Sequence, residues 1–242
     1  MKSSRMPLFA RLTGRVTEIL WRRRYLKYFR LEARLLTSPA TEQTMDRVKI
    51  EARGYYRAHL REIPDSKGFF TLTLAALVLA SYQELRRNGI LEDEALESVR
   101  RAYSSTYGAQ MYGATKIWLA FVSDPVSALR KNSAVPFFKA VFGGWFTFED
   151  ERPGENYTLI ISQCGFHNFF EKEGAPQLTR VMCSMDRNWL GAIDSSDRPV
   201  ATRRSLTLAT GGNRCEFHFD RAASAPAPTV DVTLNPSLGE TP

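Results

Sequence analysis

Apolar positions recur at helical spacing through the first 140 or so residues of this 242-residue chain, and at strand spacing over much of the remainder. Val16, Ile19, Leu20, Leu26, Phe29 and Leu36 fall at near-helical steps with Arg23 and Arg24 on another face, which predicts a helix over 15–36. Thr37-Ser38-Pro39-Ala40-Thr41 breaks it. A second helix is expected from Glu42 to between Leu60 and Ile63. A third, from Phe69 to Arg87, is apolar almost all round as far as Leu79, so its first half should be buried. Asn88-Gly89 supplies a stop. The fourth helix, 92–106, opens on Glu92, Asp93 and Glu94 and carries Arg100 and Arg101 later, matching the helix dipole. A separate helix over 111–122 should turn Trp118 and Phe121 inward. Short helices are expected next, over 125–130 and 136–142.

The period changes at Gly143-Gly144. Residues 145–149 and 157–163 are aromatic and β-branched around a polar turn, and read as a β-hairpin ending at Cys164. A short helix over 166–173 and a longer one from Pro176 to Leu190 lead to a second hairpin, 203–209 with 214–219, about Gly211-Gly212-Asn213. The expected class is α+β: a helical N-terminal half followed by a small antiparallel four-stranded sheet covered by helices. The chain divides into a basic amphipathic helix (1–40), an α+β domain (41–220, helical over 41–142, sheet and helices over 143–220) and a flexible Ala/Pro-rich tail (221–242).

Composition narrows this only a little. At 43% apolar the chain can build a real core, and global disorder is excluded. The net charge of +7 is uneven, since residues 1–36 hold ten Lys or Arg but only Glu18 and Glu32 as acids. No basic face interleaved with aromatics recurs later, so a nucleic-acid partner is not expected. The helix over 15–36 either packs on the domain with its arginines reaching water, or makes a peripheral membrane or protein contact. The longest apolar run, Phe69–Ala80, is too short to span a bilayer, which needs about 20 helical residues. Three cysteines, with no secretory leader before them, point to free thiols in a reduced, cytoplasmic setting.

All three cysteines and two of the three histidines lie between Cys164 and Phe219. Cys164 and His167 are three apart at a strand-to-helix turn, where the helix dipole and an imidazole would lower a thiol pKa. Cys183 and Asp186 are three apart on one face of the longer helix. Strand alternation puts Cys215 with Phe217 and Phe219 on the core side and His218 on the other. His59 has no Cys, Asp or second His near it in sequence and reads as a structural histidine. Three chemistries fit the cysteine set: a nucleophilic thiol with a His or Asp partner; zinc held by Cys164, His167, Cys183 and Cys215; or three small core hydrophobes. Asp186, on a helix whose inward face is otherwise apolar, favours a pocket over the last.

Taken in order, Cys164, Gly174-x-Pro176-x-Leu178, Cys183-x-x-Asp186, Arg204-x-x-Thr207-Leu208, Gly211-Gly212 and Cys215-x-Phe217-x-Phe219 resemble the L-2-amino-thiazoline-4-carboxylic acid hydrolase family. The resemblance implies the same α+β layout and hydrolytic opening of a 2-aminothiazoline ring to N-carbamoyl-L-cysteine. On that chemistry Cys183 or Cys164 serves as nucleophile or polarising thiol, Asp186 as base or orienter and His167 as proton shuttle, with Cys215 beside them. Arg204 and Thr207 are candidates for binding substrate, Arg204 through its carboxylate. No cofactor is expected, with zinc as the alternative. The competing reading is a non-catalytic small-ligand- or zinc-binding module with a cysteine-lined pocket.

Overall fold

The structure, a computed structural model, describes residues 8–221, with side chains from Ile19 onward. Four long helices come first: α1 (Leu8–Thr37), α2 (Thr41–His59), α3 (Lys67–Arg87) and α4 (Glu92–Phe121). Two short ones come next, α5 (Pro125–Asn132) and α6 (Val135–Phe142). Then come β1 (Thr147–Glu151), β2 (Tyr157–Gln163), α7 (Gly165–Lys172), α8 (Leu178–Cys183), α9 (Asp186–Asp194), β3 (Val200–Leu206) and β4 (Cys215–Arg221). The class is α+β, helices first and a four-stranded antiparallel sheet after, in the order β1-β2-β4-β3.

The all-round apolar face of α3 is explained by its place between α1, α2, α4 and α7. Residues from Leu72 to Ala80 are buried. Thr71 and Thr73 satisfy their hydroxyls by donating to Gly68 O and Phe69 O, each at 2.9 Å. By length and composition α3 is apolar enough to cross a membrane, and most of it is buried within the fold. Buried Glu84 near its end is paired with Arg87 at 2.9 Å and Arg47 at 3.6 Å. The α1 helix packs against α2, α3 and α4 through Tyr25, Phe29 and Ala33, a stripe at i, i+4, i+8 with no exposed surface. Arg22 and Arg23 lie off that stripe. The predicted tail begins one residue early, since Arg221 closes β4 and pairs with Asp124 at 2.9 Å; residues 222–242 lie outside the described part.

Several element boundaries differ from the sequence pattern. Residues 92–121 form one helix, not two. The segment Tyr107-Gly108-Ala109-Gln110 contains only a glycine as breaker, a cost of about 1 kcal/mol. Packing outweighs it: Gly108 lets α4 approach α9 so closely that a Cβ there would sit 2.8 Å from Asn188 Oδ1. At the far end Phe121 is exposed, not inward, because α4 has by then run past the core. The helix predicted over 176–190 is instead two. Around Ser184 and Met185 the backbone tightens to three-residue bonds, Ser184 N to Val181 O at 3.3 Å and Met185 N to Met182 O at 3.4 Å. Finally, β1 starts at Thr147 because Trp145 lies in a 3-10 turn packed on Gly165, and β3 starts at Val200. Asp194 anchors that early start, accepting from Thr202 N and Oγ1 at 2.8 Å each.

One sheet face looks into the protein. Leu159 pairs with Phe217, which pairs with Arg204; Ile161 pairs with Cys215 on the adjoining row. Trp189 of α9 covers this face, with its ring 5.5 Å from Phe217 and 5.9 Å from Phe219. The other face is polar, carrying Arg203 paired with Asp220 at 2.8 Å and His218 against Thr158 and Ser205 at 3.1 and 2.6 Å.

Candidate active site

Between the inner sheet face and the helices lies a cavity of about 70 Å³. By the measure that one water occupies roughly 10–15 Å³ of such space, it has room for a few waters or a small molecule. Cys164, at the end of β2 and just before α7, enters it. Cys183 ends α8, Asp186 begins α9, and Arg204 and Cys215 come from β3 and β4; all four line it too. The three cysteines thus converge from three separate elements, and all are free thiols. The break between α8 and α9 still leaves Cys183 and Asp186 facing one space, although they do not share one helix.

Arg204 is the charged centre of the cavity. Its residue is only 6% exposed, in the middle of β3 and not at a solvated strand end. Its guanidinium lies 4.7 Å from the centroid of the Phe217 ring, and its Nη1 is 3.4 Å from Asp186 Oδ2. Cation–π contact with a desolvated ring and a carboxylate partner together make burial of the charge tolerable. The other Asp186 oxygen accepts from Trp189 Nε1 at 2.9 Å, so the carboxylate is aimed as well as paired.

The thiols are protonated at neutral pH. Burial pushes Cys183 up to about 12, Arg204 pulling it back and Asp186 pushing it further. Burial likewise raises Cys215, against the backbone N–H of Leu208, which donates to its Sγ at 3.4 Å, and against Arg204. Cys164 reverses the sequence-based expectation of a depressed pKa. Its apolar surroundings raise it well above an ordinary thiol and Cys183 adds to the rise, while the N–H groups of His167 and Phe166 offset only part.

His167 does not line the cavity. Its Nδ1 lies 3.4 Å from Thr179 Oγ1 and its Nε2 3.4 Å from Glu171 Oε1; Thr179 is the residue that reaches the cavity wall. Thr207 is buried in the turn after β3, its hydroxyl 2.9 Å from that of Thr210, and is also outside the lining. Among the described residues no three His, Cys, Asp or Glu side chains are placed to hold one metal ion, so Cys164, His167, Cys183 and Cys215 do not form a zinc-ligand set here. His59 is structural in its contacts, with Nε2 2.7 Å from Glu173 and Nδ1 3.2 Å from Glu62.

The sequence pattern did not single out the opposite wall. Phe138 and Phe142 of α6, Phe146, and Phe148 of β1 form it, with rings 5.0–6.2 Å apart. The signal was the density of five phenylalanines between 137 and 148, which strand and helix periodicities divide between two elements.

A family model described as L-2-amino-thiazoline-4-carboxylic acid hydrolase matches residues 71–219, more than half of the chain. The chain belongs to the L-2-amino-thiazoline-4-carboxylic acid hydrolase family. The matched segment runs from within α3 to β4 and contains every residue that lines the cavity, while α1 and α2 precede it. Comparisons with curated proteins and with solved structures found no match.

Proposed function

We propose that this cavity is the active site of a hydrolase that opens L-2-amino-thiazoline-4-carboxylate, or a closely similar small ring with adjacent C–N and C–S bonds, to N-carbamoyl-L-cysteine. The observation that carries the proposal is the convergence of three thiols, one aimed carboxylate and one buried guanidinium on a single small, aromatic-walled cavity. Its size suits a single small ring, and its one cation suits the substrate carboxylate.

The chemistry is set by those groups. The substrate carboxylate binds Arg204 in competition with Asp186, which loosens the resident ion pair and leaves the carboxylate of Asp186 able to accept a proton. Cys183 Sγ adds to C2 of the ring as its proton passes to Asp186. The C2–S bond then breaks, and Asp186 returns the proton to the departing ring sulfur. Water attacks C2 of the S-linked adduct and releases Cys183 as a thiol, leaving the carbamoyl group on the product nitrogen. The sum is one ring plus one water giving one free thiol and one urea-type carbonyl. The raised pKa of Cys183 gives Asp186 its role: with almost no resident thiolate, a base must act during attack.

The test is release of titratable thiol from L-2-amino-thiazoline-4-carboxylate by the purified protein, with and without a strong chelator. Turnover should be insensitive to the chelator, and Cys183→Ser and Asp186→Asn should each lower kcat by at least about 100-fold, the scale of a lost nucleophile or base. Full activity in both variants would end the proposal, and loss of turnover on chelation would replace it with a metal mechanism.

A further inference from the structure

A second cavity, of about 460 Å³, opens between α1, α2 and α3, away from the cysteine site. That volume lies in the range of roughly 300–1,000 Å³ common for small-molecule sites. Its lining comes from residues 22–60 together with Thr73 and Leu77, so nearly all of it precedes the family match.

The charge in this cleft is one-sided. Lys49, Arg53 and Arg57 succeed one another at four-residue steps along α2, and Arg22 and Arg23 face the same space from α1. No Asp or Glu lines it. Lys49 is paired with Asp46 at 2.8 Å, whereas Arg22, Arg23, Arg53 and Arg57 have no ion-pair partner among the described residues. Four guanidiniums around one cleft repel one another, and an anion would relieve that cost. Arginine's fork of N–H donors matches phosphate oxygens in particular.

Apart from Thr73, the rest of the cleft is mainly apolar. Parallel to the basic stripe, Ala52 and Tyr56 of α2 and Leu60 just past its end form a second stripe, and Leu26 and Leu77 come in from α1 and α3. Ala52 and Leu77 are buried, while Arg23, Arg53 and Arg57 are exposed, so a hydrophobic floor lies beneath a cationic rim. A free inorganic anion would leave that floor unused. We infer that this cleft binds a phosphate-headed amphiphile, with the phosphate held by the arginines of α1 and α2 and the hydrocarbon lying over Leu26, Leu60 and Leu77. Either a membrane phospholipid or a soluble phosphorylated lipid carries that chemistry.

The experiment is calorimetric titration of the full chain with dihexanoyl phosphatidic acid below its micellar concentration, with inorganic phosphate in parallel. Saturable binding of the lipid is expected, at least about tenfold tighter than inorganic phosphate. The Arg53→Gln/Arg57→Gln double variant should lose tenfold or more of the lipid affinity by removing two charge-assisted contacts. It should keep an unchanged melting temperature and unchanged ring-opening activity. Leu60→Gln should weaken the lipid and not inorganic phosphate. Co-sedimentation with phosphatidic acid vesicles separates the sources: binding to them assigns a membrane lipid, and monomer binding without vesicle binding assigns a soluble one. Absence of saturable lipid binding, equal binding by the double variant, or phosphate binding as tight as the lipid's would each overturn the inference.

Discussion

Arg204 shows what a single residue's surroundings do to its meaning. In the sequence it is one of two adjacent arginines near a strand, and an arginine there ordinarily points to water. Its burial depends on Phe217 across the ladder and on Asp186 from a helix eighteen residues earlier, and neither partner can be inferred from local pattern. Asp186 was legible, because a carboxylate on an apolar helical face requires a partner. The thiols were legible as a cluster, but the direction of their pKa was not, since it turns on desolvation by the aromatic wall. At pH 8 a thiol held near 12 has roughly three orders of magnitude fewer thiolates than a free cysteine near 8.5. Iodoacetamide should therefore modify Cys183 at least about 100-fold more slowly than free cysteine in the folded protein, and at the free rate in denaturant; fast modification of the folded form would contradict the raised pKa. The linkage has a definite sign. The folded state holds these protons more tightly, so stability is unaffected below about pH 8.5 and falls as pH rises from there toward 12. Chemical denaturation midpoints measured at pH 7 and pH 10 should be lower at the latter.

Among the elements, the strand-to-helix step at Cys164 has little slack. Gly165 opens α7 directly against Trp145, and a Cβ at that position would enter the indole ring. Trp145 is itself nearly buried, held in its turn by packing on Phe146, Phe166 and Phe169. Gly165→Ala should destabilise the protein by about 1–3 kcal/mol through overpacking, and should lower the proposed ring-opening activity beyond that by shifting Cys164 and the cavity wall. A melting curve and kcat/KM measured on the same preparation check both parts; unchanged values would mean that Trp145 moves aside freely. The same local reading explains which elements periodicity recovered. α3, α7 and β4 carry their pattern within their own length. The continuity of α4 rests on Gly108 meeting Asn188, a contact that no window of sequence contains, and the break before α9 comes with Ser184 Oγ donating to Val181 O at 2.7 Å, a local bond that helical periodicity does not register.

At the scale of the molecule, the basic N-terminal helix α1 contributes to the common core. Tyr25, Phe29 and Ala33 are fully buried among α2, α3 and α4, and Trp21 stacks on Tyr107 of α4 with ring centroids 4.6 Å apart. Tyr107 lies one turn from Tyr103, whose raised pKa comes first from burial, with smaller contributions from Tyr107, Asp186, Cys183 and Cys164. The packing beneath α1 is therefore continuous with the packing behind the cysteine cavity, although the family match begins only in α3. Phe29→Ala would remove a whole ring from this core at a cost of about 3–5 kcal/mol, a large share of the roughly 5–15 kcal/mol that holds a domain together. The melting temperature should fall by roughly 10 °C. The proposed ring-opening activity should be lost along the same temperature curve, because the helices around the cysteine cavity unfold with α1. Had α1 been a separate attachment, the variant would melt in two steps, with activity surviving the first. A single displaced transition that takes activity with it is the expected result, and it would make α1 part of the structure that supports the cysteine cavity.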